Sequence, residues 1–574
     1  MYVDESTVTS SSGKKHTRYL LRESYREQGK VKKRTLANIS NCPLEEIQIL
    51  KQALGKGKRG KQKKNNNNSN VVLVDLNKIE EKPGKRWGAI LVLNEIAHRL
   101  GLHQALGTAR NALLILWLIF ARIMEQGSRL KAVRMAQFIA VDEVLGLTNF
   151  DEDDLYQAMD WLEENHHHIE DDLIDFGAVN PDKQYGQLLL YDVTSSYLEG
   201  DQNELAEFGY DRDGKKGKKI IVVGLLTDEN GEPLCIEAFP GNTQDPATCS
   251  ERIKAIKQRF GVDKLTLVGD RGMIKSKQIE QIEANDGWNY ITAITKPQIN
   301  KMLKDGIFQM SLFDEVVQEI VVDDVRYVFR RNPVRAQEIR ATRESKLSKL
   351  GQAMSERQQY LDDHPRAKES VALRLLTDKA NKLKIGKLVS FKSTDRRLTM
   401  TCDKTSDAWQ EAEKLDGCYV IKTNIVDTKI LTAQQVHDRY KDLAFVEQAF
   451  RKMKTVILEQ RPVYVRKKQR TQAHVFITML AFKIVRYIIL AFKDYHNEVL
   501  NLMFDSEKPS KNQVLEFYDI LSELDLIQNN ELIIEGINCK VTKRLRPAAQ
   551  KILDVLNITL PVSQIDTIRQ GWTL

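Results

Sequence analysis

Cysteine is scarce in this chain, with six residues in 574. Cys42, Cys235, Cys249, Cys402, Cys418 and Cys539 never form a close pair of zinc-ligand spacing, so a zinc ribbon or finger is excluded. They read as reduced thiols, and no secretory pattern opens the N-terminus, so a cytoplasmic protein is expected. Long apolar runs are missing too. The longest unbroken one, residues 112–121, is too short for a bilayer, and the one at 475–492 is interrupted by Lys483 and Arg486; no membrane segment is expected. With 42% hydrophobic residues, a chain of this length can fill the cores of three or four domains.

What is abundant is positive charge at one end. Residues 1–70 hold 16 Lys and Arg against 6 Asp and Glu, while the whole chain carries a formal +8, so the remainder is close to neutral. Concentrated basic charge is the footprint of a segment that meets phosphates, with a solvated basic tail as the bland alternative. Residues 1–13 are polar and Ser/Thr-rich and are expected to be disordered. Residues 17–27 and 31–39 read as a hairpin turning at 28–30, presenting Lys32, Lys33 and Arg34, and a short helix at 43–54 follows. The basic, Asn-rich stretch 56–70 reads as a linker, which places a domain boundary near residue 70.

Residues 71–180 read as a helical module, because Ile90, Leu93, Ile96, Ala97 and Leu100 recur at helical spacing. Its triplet His166-His167-His168 points in three directions on a helix and is a poor metal site. From residue 187 the pattern changes to strands. Residues 188–191 are a short apolar run that ends in Asp192, and residues 264–269 are a second one that ends in Asp270, with Gly269 and Gly272 leaving room for a ligand. Between them, 220–226 and 234–238 flank an Asn-Gly turn. Helices at 246–260 and 274–284 and a strand at 289–295 complete the order β-β-β-α-β-α-β. That is the order of an RNase H-like fold, in which the first and fourth strands are neighbours, so Asp192 and Asp270 would meet.

Two strand-end aspartates in one sheet point to a metal site, and a two-metal phosphoryl-transfer site needs a third carboxylate. Residues 437–455 have helical periodicity and place Tyr440, Glu447, Arg451 and Lys454 on one face. An acid among cations fits a metal ligand with phosphate-facing neighbours, and it equally fits a surface ladder in which Glu447 pairs with Arg451. Thr194, Ser195 and Ser196 read as hydrogen-bonding groups, since no nucleophile-elbow glycines surround Ser195. Glu199 and Asp201 are further acids just beyond the strand. The interval 296–436 reads as an inserted α+β subdomain in which Trp409 is core or a base-stacking ring, and Arg330, Arg331, Arg335 and Arg340 face phosphate or solvent. A basic stretch with Tyr464 interleaved, including Arg466, Lys467 and Lys468, follows the glutamate.

YDVTSSY (191–197), GYDRDGKKGKK (209–219), PGNTQDP (240–246), GDRGM (269–273) and YKDLAFVEQAFRKMK (440–454) together resemble the DDE transposases of bacterial insertion sequences, in the group related to insertion sequence four. The resemblance spans roughly residues 17–490 and is carried by the combination of motifs. It implies an α/β multidomain protein with an RNase H-like mixed sheet and flanking helices, divided into core segments 181–295 and 437–495 by the insertion. A C-terminal helical region at 496–574 follows. Implied as well are Asp192, Asp270 and Glu447 as catalytic and metal-binding triad, two Mg2+ ions with Mn2+ as substitute, and cut-and-paste transposition. The expected partners are terminal inverted repeats, target DNA and a second copy of the chain in a synaptic complex. Candidate DNA contacts are Tyr440, Arg451, Lys454, Arg271, Lys215, Lys216, Lys218, Lys219, Arg466, Lys467, Lys468, Lys32, Lys33 and Arg34. Where such relatives carry an arginine between Tyr440 and Glu447, this chain has Leu443, with Arg451 or Arg439 as substitutes. A nuclease or resolvase that cleaves without joining, and a non-catalytic DNA-binding regulator, are the alternatives.

Overall fold

The computed structural model describes residues 1–9, 15–54, 79–174, 187–200, 202–212, 214–215, 217–260, 263–504, 514–534, 537–542 and 545–561. Two compact units are present: 1–84 with 528–544 and 560–574, and 85–527 with 545–559.

In the first unit, Tyr2–Thr9, Lys15–Glu27 and Lys30–Asn38 form an antiparallel sheet in that order. The second and third strands turn at Gln28-Gly29, both at positive φ (48° and 77°), a two-residue geometry whose twist suits a hairpin. Disorder across residues 1–13 is not what the structure has for Tyr2–Thr9. Continuous pairing from Tyr2 opposite Arg22 to Thr9 opposite Lys15 satisfies this backbone, and β-branched Val3, Thr7 and Thr9 suit a pleated strand despite the polar composition. The helix Leu44–Leu54 follows, and the linker 56–70 lies outside the described residues. Gln528–Ile534 pairs with Ile537–Thr542 and with Ile79–Arg86, a junction that sequence patterns do not anticipate.

The second unit is built on an eight-stranded mixed sheet. Its strands are β1 (Gln187–Tyr197), β2 (Ile220–Asp228), β3 (Pro233–Pro240), β4 (Leu265–Gly269), β5 (Trp288–Ala293), β6 (Gln318–Val322), β7 (Val325–Arg331) and β8 (Cys418–Thr423), in the order β6-β7-β8-β5-β4-β1-β2-β3. In β1, β2, β4 and β5 the apolar residues, with few polar interruptions, are buried on both faces, as expected where helices cover a sheet. β1 pairs antiparallel with β2 and parallel with β4. That parallel pairing sets Tyr191 opposite Gly269, so Asp192, within β1, and Asp270, just past β4, are brought next to each other. The helices α1 (Asp245–Phe260) and α2 (Ser276–Glu283) are the crossovers on either side of β4.

The interval 296–436, read from the sequence as an inserted α+β subdomain, contributes strands to the main sheet. β6, β7 and β8 extend the main sheet, with β8 pairing antiparallel to β5, which removes the open edge that β5 would otherwise present. The hairpin Ser390–Thr394 and Arg397–Thr401 and the helices Lys296–Lys304, Pro333–Asp363, Glu369–Lys382 and Asp407–Lys414 stand outside that sheet.

At the opposite edge, β3 is covered by α5 (Lys468–Ala491). This is the one described helix long and apolar enough to cross a membrane, with a mean hydropathy of 1.8, but 78% of its most apolar window is buried inside the protein. Gln472 performs the work of a missing strand: its Oε1 accepts from Ala238 N at 2.8 Å and its Nε2 donates to Ala238 O at 2.7 Å. Lys483 and Arg486, the charges that interrupt the apolar run, both pair with Glu232.

The helical run from Gly88–Arg99 to His166–Leu173 packs on the other side of α5. Within the triplet, His166 is buried and bonds Glu170 at 3.1 Å, while His167 and His168 are exposed. Glu170 also accepts from Arg259 and from Ile236 N of β3, so this cluster ties helix to sheet.

Replacing Gln472 by Leu leaves both polar groups of Ala238 buried without partners. Urea unfolding is expected to show a loss of about 2–4 kcal/mol, whereas an unchanged midpoint would remove the edge-sealing role.

Candidate active site

The local chain explains how three remote acids reach one place. The first is not at a strand end as the sequence suggests: Asp192 lies within β1, which continues beside β2 to Tyr197, just past the last residue paired with β4. The second directly follows β4. The third, Glu447, comes from α4 (Leu443–Arg451), whose buried residues Leu443, Val446, Ala449 and Phe450 fix its roll and leave Glu447 exposed. Asp192, Asp270 and Glu447 line a single cavity of about 450 Å3, together with Arg271, Asn332, Tyr419, Tyr440, Lys441 and Leu443.

Confinement is visible in the chemistry of Asp192. Burial, first, and the neighbouring Asp270 and Glu447 push its carboxyl up to about 7, against the opposing pull of the Val193 N–H and of Arg212. The Tyr440 hydroxyl donates to Asp270 Oδ1 at 3.1 Å. Burial and that carboxylate raise its pKa, so it stays a donor. Carboxylate oxygens in this number suit a hard divalent cation, and the penalty on Asp192 is one that a cation would relieve. Among the described residues, however, no three His, Cys, Asp or Glu side chains already converge tightly enough to hold a metal ion. The donor set fits in kind, and the acids share a chamber rather than a finished ligand sphere.

The single helix expected over 437–455 is divided. α3 (Ala433–Lys441) ends at Asp442, α4 begins at once, and a π turn occupies Lys452–Val456. The step is tightened by Phe445 N donating to Asp442 O, three residues back. Tyr440 and Glu447 therefore reach the cavity, but Arg451 does not line it. Lys454 is turned inward, buried, and donates to Thr194 Oγ1 at 2.8 Å. Arg439 is engaged by Glu229 and Asp442. Leu443 lines the wall where relatives have arginine, and Arg271 and Lys441 are the cations that face the cavity. Lys441, the last residue of α3, is not picked out by the sequence pattern because on one continuous helix it would point away from the face of Tyr440 and Glu447.

Several further residues are occupied in ways that patterns do not reveal. Ser195 accepts from Arg212 N at 2.9 Å, and the Arg212 guanidinium pairs with Asp245. A Cβ at Gly272 would lie 3.7 Å from an Asp270 oxygen and 3.8 Å from an Asp245 oxygen, so Asp245 is a fourth acid beside the triad. Both residues stand in motifs that drew attention without yielding a role, GYDRDGKKGKK and PGNTQDP. Thr194 and Ser195 each accept one internal hydrogen bond, from Lys454 Nζ and Arg212 N, which leaves the hydroxyl proton of each to be donated. Gly269 accommodates Ile274 rather than a ligand, since a Cβ there would meet Ile274 Cδ1 at 2.8 Å.

The basic candidates are dispersed. Lys215 lies over the Tyr197 ring, Lys218 pairs with Glu199, and Lys219 lies over Phe208; Lys216 and Asp201 are outside the described residues. Arg466, Lys467 and Lys468 are exposed where α5 begins. Lys32, Lys33 and Arg34 are exposed on Lys30–Asn38 of the first unit, two of them paired with Glu27 and Glu23. Trp409 is buried beneath Arg343 and Lys404, a core ring. Arg330 bonds His437, and Arg335 pairs with Glu338.

Residues 185–482, slightly more than half of the chain, match the family model of the transposase DDE domain. The chain belongs to the DDE transposases. Residues 5–69 match the N-terminal domain of IS1634 family transposases, so this is a transposase of an insertion sequence. No curated protein matches the chain. Among solved structures, a piggyBac transposase synaptic complex with hairpin DNA is similar at 9% identity over 80% of this chain and 79% of that chain, with a TM-score of 0.35.

In this transposase the Arg212–Asp245 pair is expected to be coupled. A double-mutant cycle with Arg212→Ala and Asp245→Asn should return about 1 kcal/mol in denaturant unfolding; strict additivity would show that the pair does not brace the site.

Proposed function

We propose that this transposase binds the terminal inverted repeats of its insertion sequence and catalyses divalent-metal-dependent strand cleavage and strand transfer on an RNase H-like core. The observation that carries this reading is the common cavity of Asp192, Asp270 and Glu447. They are the groups that would hold two Mg2+ ions. Such ions, when bound, lower the pKa of an attacking water and stabilise the leaving 3′ oxygen.

The protein's own residues supply position and charge. The Tyr440 hydroxyl fixes one oxygen of Asp270 and leaves the other for a ligand. Arg271 and Lys441, facing the same cavity, attract the scissile phosphate and neutralise charge that builds on it. Lys454, through Thr194, holds the segment of β1 that follows Asp192. In strand transfer the freed 3′ hydroxyl takes the place of water, and no side chain is needed as a covalent nucleophile. Residues 1–70 and the helical module 71–180 are assigned to DNA-end recognition, and synapsis of two ends calls for a dimer.

Asp192→Asn, Asp270→Asn and Glu447→Gln are each expected to reduce cleavage of terminal-repeat DNA in Mg2+ by at least about a thousandfold with DNA affinity within about twofold of the parent. Near-normal cleavage in any variant removes that residue from the site. With a target plasmid present, excision followed by joining supports the reading, while cleavage without joining would make the chain a nuclease. Replacing Lys32, Lys33 and Arg34 together by Gln should flatten the salt dependence of DNA binding, by up to about 0.9 in log–log slope per lost phosphate contact; an unchanged slope removes these cations from the interface.

A further inference from the structure

A second cavity, about 480 Å3, lies away from the triad and is lined by Arg122, Gly127, Ser128, Arg129, Tyr156, Glu459, Arg461, Pro462, Tyr464, Val465 and His474. Its walls hold more donors than acceptors. Arg122 is 9% exposed and Arg129 7%, and both direct an Nη nitrogen at the same acceptor, His474 Nδ1, at 3.3 and 3.2 Å. His474 Nε2 meets Gln460 O at 3.0 Å, which places the ring proton on Nε2 and leaves one lone pair on Nδ1 for two guanidiniums. Arg122 finds two more acceptors in the carbonyls of Leu458 and Glu459, at 3.4 and 3.3 Å. Arg129 lies over the Tyr156 ring, and its Nε is buried with no hydrogen-bond partner.

Among the described residues no carboxylate is hydrogen-bonded to Arg122 or Arg129, although Glu459 and Glu152 act on them through their charge. Glu459, the acid in the lining, is exposed, and Glu152 acts on Arg129 without a hydrogen bond to it. Asp160 is taken by Arg470, which accompanies Arg129 at the Tyr156 ring. A buried guanidinium short of acceptors is costly and calls for an anion with several oxygens. The cavity also adjoins an exposed basic stretch of the chain. Arg461 lies over Tyr197, the last residue of β1, and Tyr464 is 70% exposed within the basic stretch that ends at Arg466, Lys467 and Lys468.

The geometry points to this cavity as a phosphate-binding subsite, separate from the catalytic one, in which Arg129 and Arg461 grip a backbone phosphate of the bound DNA. The assignment rests on the reading of the chain as a protein that binds DNA ends, but not on its metal chemistry. Arg122 is a positioning residue here: it holds the backbone at 458–459 and shares His474 with Arg129.

The test uses the full-length protein in EDTA, so that cleavage plays no part, with terminal-repeat DNA titrated at several salt concentrations. Arg129→Gln and Arg461→Gln are each expected to weaken binding about tenfold and to reduce the log–log salt slope by about one. Circular dichroism and a thermal melt check that each variant is folded, and should Arg129→Gln fail to fold, Arg461→Gln decides the outcome. Unchanged slope and affinity in a folded variant overturn the proposal. A thermal shift with inorganic phosphate separates the sources of the anion. Stabilisation of the parent that is absent in the variant, with DNA binding unchanged, assigns the cavity to a free phosphate and overturns the DNA role.

Discussion

Three carboxylates facing one chamber repel one another, and the second unit is arranged so that they cannot separate. Asp192 and Asp270 are locked side by side by the parallel pairing of β1 with β4, and Glu447 is pressed toward them by the buried face of α4. The cost appears at Asp192, whose carboxyl is driven up to about 7 by burial and by its two neighbours. A rigid scaffold is what makes such an arrangement tolerable. β3 is sealed by Gln472 of α5, β5 by β8, and Glu170 joins the helical run to the sheet.

Cations are distributed in step with this demand. Arg271 and Lys441 face the chamber, Arg212 balances Asp245 beside it, and Lys454 is anchored on Thr194 just beyond Asp192. Among the described residues the side chain that donates to the triad is the Tyr440 hydroxyl and not a basic group, so carboxylate oxygens stay available to a cation. Arg122 and Arg129 are the converse, buried positive charge wanting an anion. Opposite imbalances at two cavities fit a protein that holds a polyanion by its backbone at one place and works on it at another.

Much of the core was legible in the sequence because it is written in local patterns. Apolar runs ending at Asp192 and Asp270 mark two neighbouring strands, although β1 continues past Asp192 to Tyr197, and Asn230-Gly231 marks the turn between β2 and β3. The spacing of Tyr440 and Glu447 reaches the cavity even though the helix carrying them is broken at Asp442. What stayed hidden depends on contacts between distant segments. The joining of β6, β7 and β8 to the main sheet is decided by which edge they cover, and Lys454 turns inward because a π turn intervenes. Gln528–Ile534 pairs with Ile79–Arg86 although nothing in either segment names the other. Polar residues at Tyr2–Thr9 read as disordered until the partner strand is counted.

The central claim is that the chamber of Asp192, Asp270 and Glu447 is where divalent metal binds. Diffraction at the manganese absorption edge, from crystals of the protein with Mn2+ and a cleaved DNA end, tests it most directly. The account predicts anomalous peaks bounded by the carboxylates of residues 192, 270 and 447, adjoining the terminal phosphate. Manganese ordered elsewhere on the chain, with those three side chains free of it, would contradict it.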